Sequence, residues 1–217
     1  GTLMDADYVI QDPETLRYSL TLKLCHLSDL IRSQISIRDV VRPHLVALAE
    51  TCGESSCMAI EEDRMVVYVD VVDGPDSMLR TLQRIGKRAP MHSTGVGKTL
   101  LLNYRTEELQ AIMRERGMES LTAHTITSIP RLMEELQSVR QKGFAVDDEE
   151  CESGVRCVAA PLRDYTGRIV ASISISGPAT RMNDDKMRHT AERLQAAAEK
   201  ISRRLGWEAH IAGSPVI

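Results

Sequence analysis

The sequence predicts an α+β domain, a mainly antiparallel sheet flanked by helices, and three observations carry that prediction. Ile169, Ala171, Ile173 and Ile175 alternate with Val170, Ser172, Ser174 and Ser176, the period of two that sets aliphatic side chains on one strand face and hydroxyls on the other. Met187, Ala191, Leu194, Ala198, Ile201 and Leu205 recur at spacings of three and four, the apolar stripe of a helix capped by Asn183 and stopped by Gly206. Between the N-terminal region and that helix, elements come in blocks rather than in strict alternation: helix, two or three strands, three helices, three strands, helix.

Taken in order, Tyr8-Val9-Ile10 and the alternating Tyr18, Leu20, Leu22 and Leu24 read as a hairpin turning at Asp12-Pro13-Glu14-Thr15. A helical stretch follows from Leu24 to about Gln34. Ser36 then caps a second helix whose Val40, Val41, Leu45, Leu48 and Cys52 share a face, with Gly53 as its stop. Pro43 inside that pattern predicts a kink or a late start. Residues 55–61 and 64–72 form a hairpin about Glu62-Asp63, and residues 77–89 fit a strand or a short helix, the strand being favoured. An apolar helix over residues 89–104 opens on a glycine-containing turn; Thr106 to about Gly117 is another, and Ser128-Ile129-Pro130 opens a third that ends at Gly143. Three strands over 143–178 follow, the last two joined by a turn at Asp164–Gly167.

At 217 residues the chain suffices for one sizeable core, and with aromatics at 3% that core is built from Leu, Ile, Val, Ala and Met. Net charge of -4 gives this chain no electrostatic footprint for a polyanion. Five scattered cysteines without C-x-x-C point to a reduced, cytoplasmic protein, and no apolar run approaches the roughly eighteen residues of a membrane span.

The segment His92-Ser93-Thr94-Gly95-Val96-Gly97-Lys98-Thr99 invites comparison with a phosphate-binding loop, but His92 stands where the pattern needs its first glycine and Ala89-Pro90 where it needs a strand. What survives is a helix start whose Gly95 and Val96 amides can face an anion. Val155, Cys157 and Ala159 alternate like the serine strand, and Asp147 and Asp148 end the strand before it, so these residues could floor a small polar pocket. The bland alternative is a serine face that meets water. The run Asp147–Glu150 reads most simply as a solvated loop, with one member turned inward. Cys157 with His92 and an aspartate suggests a cysteine-dependent hydrolase or transferase, against the usual role of a strand cysteine as a small buried hydrophobe. Asp147, Cys157 and His92 could ligate a transition metal but match no recognised zinc spacing, so no metal and no cofactor is expected.

Taken together, DPETLRYSLTLKL, APMHSTGVGKTLL, GFAVDDEECESGVRCVAAPLRD and GRIVASISISGPATR resemble the IclR family of bacterial transcriptional regulators. The resemblance implies a GAF-like or profilin-like effector-binding domain over 35–217, a linker helix over 23–34 and the end of a winged-helix wing over 1–22. It implies no enzyme. Operator DNA would be read by the winged helix of the intact protein, as a homodimer or homotetramer, with a small carboxylate as effector and no membrane. It places that carboxylate against Gly95 and Val96 and against Asp147, Cys157, Ser174 and Ser176. Met78, Ala89 and Val155 are the expected apolar wall, chosen by neighbourhood rather than motif. Val96 stands where such proteins often carry alanine, which narrows or reshapes the pocket.

Overall fold

The computed structural model describes residues 2–25, 36–75 and 83–208. The chain divides into two compact units, Gly1–Val40 and Val41–Ile217. In the first, α1 (Thr2–Asp5) precedes a hairpin of β1 (Val9–Gln11) and β2 (Tyr18–Leu20), with Val9 opposite Leu20. Asp12 Oδ1 accepts from the amides of Glu14 and Thr15, the side-chain turn that its position predicts. From residue 26 onward, the helix expected over 23–34 lies outside the described residues.

Helix α2 (Ile37–Cys52) begins directly after Ser36, which removes the late start that Pro43 offered as the alternative to a kink. Pro43 is exposed and so is Asp39, so the carbonyl that loses its N–H partner lies on the watered side of the helix. Val41 and Leu45, both fully buried, anchor the opposite side.

The second unit holds a six-stranded antiparallel sheet of β3 (Ser55–Glu62), β4 (Met65–Val72), β5 (Arg88–Ala89), β6 (Ala145–Asp148), β7 (Val155–Arg163) and β8 (Ile169–Pro178). Its order is β5-β4-β3-β8-β7-β6. The β3–β4 turn falls on Asp63 and Arg64, one residue later than expected, because both adopt the left-handed region (φ 51° and 58°) that twists correctly for a two-residue hairpin. The strand expected over 77–89 is reduced to Arg88–Ala89 among the described residues, and 76–82 lie outside them. The apolar helix expected from residue 89 starts later, as α3 (Gly95–Leu100) followed by a 3-10 turn at Leu101–Asn103. Then come α4 (Thr106–Arg116), α5 (Ile129–Lys142), closed by left-handed Gly143, and α6 (Asp184–Arg204), capped by Asn183 Oδ1 on the Lys186 amide.

Strand register assigns the faces. Ser56, Met58, Val158, Ala160, Ile173 and Ile175 look to one side, where α2 and α6 lie; Ser56 Oγ donates to the Leu45 carbonyl and Arg42 pairs with buried Asp70. Cys57, Ala59, Tyr68 and Ala159 look to the other side and join an apolar cluster with Val96, Leu100, Leu109, Ile112, Leu132 and Leu136 of α3, α4 and α5. The sheet is therefore covered on both faces. Ser172, Ser174 and Ser176 are each at most 1% exposed, which overturns the reading of a serine face in water.

The start of α3 is fixed by close approach of the backbone to itself. A Cβ on Gly97 would lie 2.4 Å from the Met91 carbonyl oxygen and 2.5 Å from Met91 Cα, whereas one on Gly95 would meet Ala159 Cβ at 3.2 Å and Cys157 Sγ at 3.5 Å. Gly97→Ala is thus expected to lower unfolding free energy by about 3 kcal/mol and Gly95→Ala by about 1 kcal/mol or less, read from urea melts. Equal losses would contradict this account of the turn.

Candidate functional site

One row of side chains crosses β6, β7, β8 and β3 on the α3 side of the sheet. Asp147 stands opposite Cys157, Cys157 opposite Ser176, and Ser176 opposite Ser55; in the next row Ala159 faces Ser174, and Ser174 faces Cys57. The period of two in each strand puts the aspartate, the thiol and two hydroxyls on one buried surface. Helix α3 covers that surface. Thr94 caps it, with Oγ1 accepting from the Gly97 amide at 3.1 Å and donating to the Pro90 carbonyl at 2.9 Å. The Lys98 amide bonds the Thr94 carbonyl, so the cap engages the third and fourth amides of the helix and not those of Gly95 and Val96.

Beside this surface is a cavity of about 210 Å³. Tyr68, Gln83, Lys87, Ala89 and Pro90 form one side of its wall, and Asp147, Cys151, Val155 and Cys157 another. Of the residues expected from the sequence, Asp147, Cys157, Ala89 and Val155 line it directly. Gly95, Val96, Ser174 and Ser176 are buried outside its wall: Gly95 abuts Cys157, Ser174 Oγ lies 2.9 Å from Cys57 Sγ, and Ser176 Oγ accepts from Gln83 Nε2 at 2.9 Å. Val96 packs in the apolar cluster with Ala89, Met91 and Ala159. Met78 lies outside the described residues.

Asp147 Oδ1 accepts from the amides of Glu150 (2.8 Å) and Cys151 (3.3 Å), which folds the acidic run back on itself. Burial pushes its carboxyl up to about 7; the two amides and Lys98 pull it down, and the charge on Glu150 adds to the rise. Two members of that run are buried, not one: Glu150 is also enclosed, and its Oε1 takes a 2.6 Å bond from Nζ of Lys98, a lysine with no solvent exposure. Lys98 Nζ also reaches Glu135 on α5 at 3.2 Å. Thr125 Oγ1 and Thr122 Oγ1 donate to the carbonyls of Glu150 and Glu149, so the loop is held from both ends.

The cysteine chemistry considered from sequence is corrected. Cys157 is buried, and desolvation with the neighbouring Asp147 drives its thiol far above the usual range, the opposite of what a nucleophile needs. His92 is no partner for it: its Nε2 bonds the Glu119 carbonyl oxygen at 3.1 Å, and burial holds the ring below its ordinary pKa. Among the described residues no group of three or more His, Cys, Asp or Glu is placed to hold a metal, and no helix is long and apolar enough to cross a membrane.

The sequence reading missed Tyr68, Gln83 and Cys151 on the cavity wall and the Lys98–Glu150 pair. Two signals were available: Tyr68 is the one aromatic in a valine-rich strand, and Lys98 interrupts an apolar helix that a buried cation can enter only with a carboxylate.

The family model described as "Bacterial transcriptional regulator IclR C-terminal" matches residues 31–203. The regulator KdgR of Dickeya chrysanthemi is 38% identical over 213 residues, covering 95% of this chain and 67% of that protein. The regulator XynR of Escherichia coli is 33% identical over 208 residues, covering 96% and 82%. The crystal structure of Thermotoga maritima IclR superposes with a TM-score of 0.76 at 32% identity, covering 95% of this chain and 83% of that one. These relatives are regulators of transcription, not enzymes. A sheet curled under the start of α3, with the signature strands β7 and β8 paired side by side in it, is the effector-binding domain of that group, and the chain belongs to the IclR family of bacterial transcriptional regulators.

Proposed function

We propose that the Val41–Ile217 unit senses a small organic acid in the cavity beside Cys157, and that the acid changes how the intact regulator holds operator DNA. The observation that carries this is the buried row Asp147–Cys157–Ser176 set under the first turn of α3 and open to a cavity on one side. Asp147 gives the cavity a carboxyl that ionises near neutrality, and the amides of Gly95 and Val96 with the hydroxyls of Ser174 and Ser176, buried behind its wall, are the donors that an acid reaching past Cys157 meets. Ala89 and Val155 are the cavity's apolar wall. DNA contact falls to a winged helix of which residues 1–22 form the end of the wing, joined by a linker over 23–34 to the sensing domain over 35–217. The relatives' names carry the helix-turn-helix designation, and the chain itself has the wrong net charge for a DNA surface. The working state is a cytoplasmic homodimer or homotetramer, since a two-fold pair is what a symmetric operator reads. The acid acts by binding one arrangement of that assembly more tightly than the other.

Titration of keto, hydroxy and aromatic acids, followed by thermal unfolding, tests the site. An acid at a hundredfold excess over its dissociation constant stabilises by about 2.7 kcal/mol, which raises the midpoint by several degrees. Ser174→Ala with Ser176→Ala is expected to abolish that rise. No rise with any acid in the unsubstituted chain would remove the proposal.

The pH dependence has a definite sign. Asp147 is neutral below about 7 and charged above it, and a carboxylate beside it favours the neutral form. Affinity for an acid is therefore expected to hold below pH 7 and to fall by up to about tenfold per unit above it. Calorimetry across pH 6 to 9 should show this for the unsubstituted chain and a flat profile for Asp147→Asn. A slope that survives the substitution would assign the proton elsewhere.

A further inference from the structure

We infer that Gln83 determines specificity in this cavity and selects an acid that carries a hydroxyl group near its carboxylate over the corresponding keto acid. The inference rests on the acid-sensing reading above. Gln83 lines the cavity, and its Nε2 donates to Ser176 Oγ. The other end of the same carboxamide, Oε1, is shielded from solvent and has no hydrogen-bond partner among the described residues. An amide oxygen that has lost its water and gained nothing in return is a standing acceptor, and a ligand that brings a donor supplies what the protein lacks. A hydroxyl can donate. A ketone oxygen only accepts, and set against Oε1 it opposes one partial negative charge to another.

Two neighbouring polar groups on the wall are already engaged, whereas Gln83 Oε1 is not. Arg88 is engaged by the Glu62 carbonyl and the Asp63 carboxylate, and Asp147 Oδ1 by two backbone amides. The bond to Ser176 ties Gln83 to the Asp147–Cys157–Ser176 row, so the selecting oxygen is close to the end of the site assigned to the carboxylate. That proximity favours a 2- or 3-hydroxy acid. A volume of about 210 Å³ leaves room for a further short chain beyond the hydroxyl.

Two matched pairs, lactate with pyruvate and 3-hydroxybutyrate with acetoacetate, differ within each pair only in that group. NMR titration of the chain with each is expected to give the hydroxy member of the better-binding pair an affinity about tenfold higher than its keto partner, the effect of one net hydrogen bond. Gln83→Leu is expected to bring that ratio to about one. A keto acid bound as well as or better than its hydroxy partner would mean that the carboxamide presents its N–H instead, and would overturn the inference, as would a ratio unchanged in Gln83→Leu. Binding without discrimination sinks the role of Gln83 alone. No binding by any of the four overturns this inference, while the sensing site stands or falls with the wider thermal titration above.

Discussion

Strand β8 is buried on both faces, and much of the second unit follows from that constraint. Its aliphatic face is satisfied by packing under α6, as any core strand would be. Its serine face cannot be satisfied that way, because a hydroxyl removed from water must find a partner. Ser172 finds one in Thr99 Oγ1 of α3 at 2.7 Å, Ser174 in Cys57, and Ser176 in Gln83. The polar partners are thus drawn from α3, from β3 and from the segment before β5, and of these the segment before β5 also lines the cavity through Gln83.

The same logic governs the acidic loop after β6. Lys98 sits in a helix that is otherwise apolar, with no exposure to water, and an unpaired ammonium there would be strongly destabilising. Glu150 answers it, and the loop that carries Glu150 must close over α3 to do so. Closing the loop buries Asp147, whose carboxyl then caps the turn and titrates near neutral pH. One buried ion pair therefore holds in place the residue whose protonation the site can use.

Legibility from sequence divided along physical lines. Long periodic elements were plain: the α6 stripe, the Ser128–Gly143 helix and both signature strands lie where their periods place them, because tertiary packing agrees with local pattern there. Boundaries set by single residues were less plain. Pro43 did not delay α2, since its cost falls on an exposed carbonyl, and the β3–β4 turn lay one residue on, since Asp63 and Arg64 carry no glycine to announce it. Motif resemblance pointed to Asp147 and Cys157, which line the cavity, and to Gly95, Val96 and the two serines, which lie buried outside its wall, but cavity residues contributed by pairing across the sheet, such as Tyr68, or by the approach to β5, such as Gln83, have no signature in a single chain. The serine face was ambiguous for the same reason, since alternation shows that two faces differ but not what covers the second.

The central claim is that the buried polar surface under α3 receives a carboxylate. A crystal structure of the chain with a bound hydroxy acid tests it most directly. The account predicts a carboxylate oxygen about 3 Å from the Gly95 or Val96 amide with the hydroxyl of Ser174 or Ser176 also in reach. An acid seated anywhere else, with those amides and hydroxyls keeping only their protein partners, would contradict it.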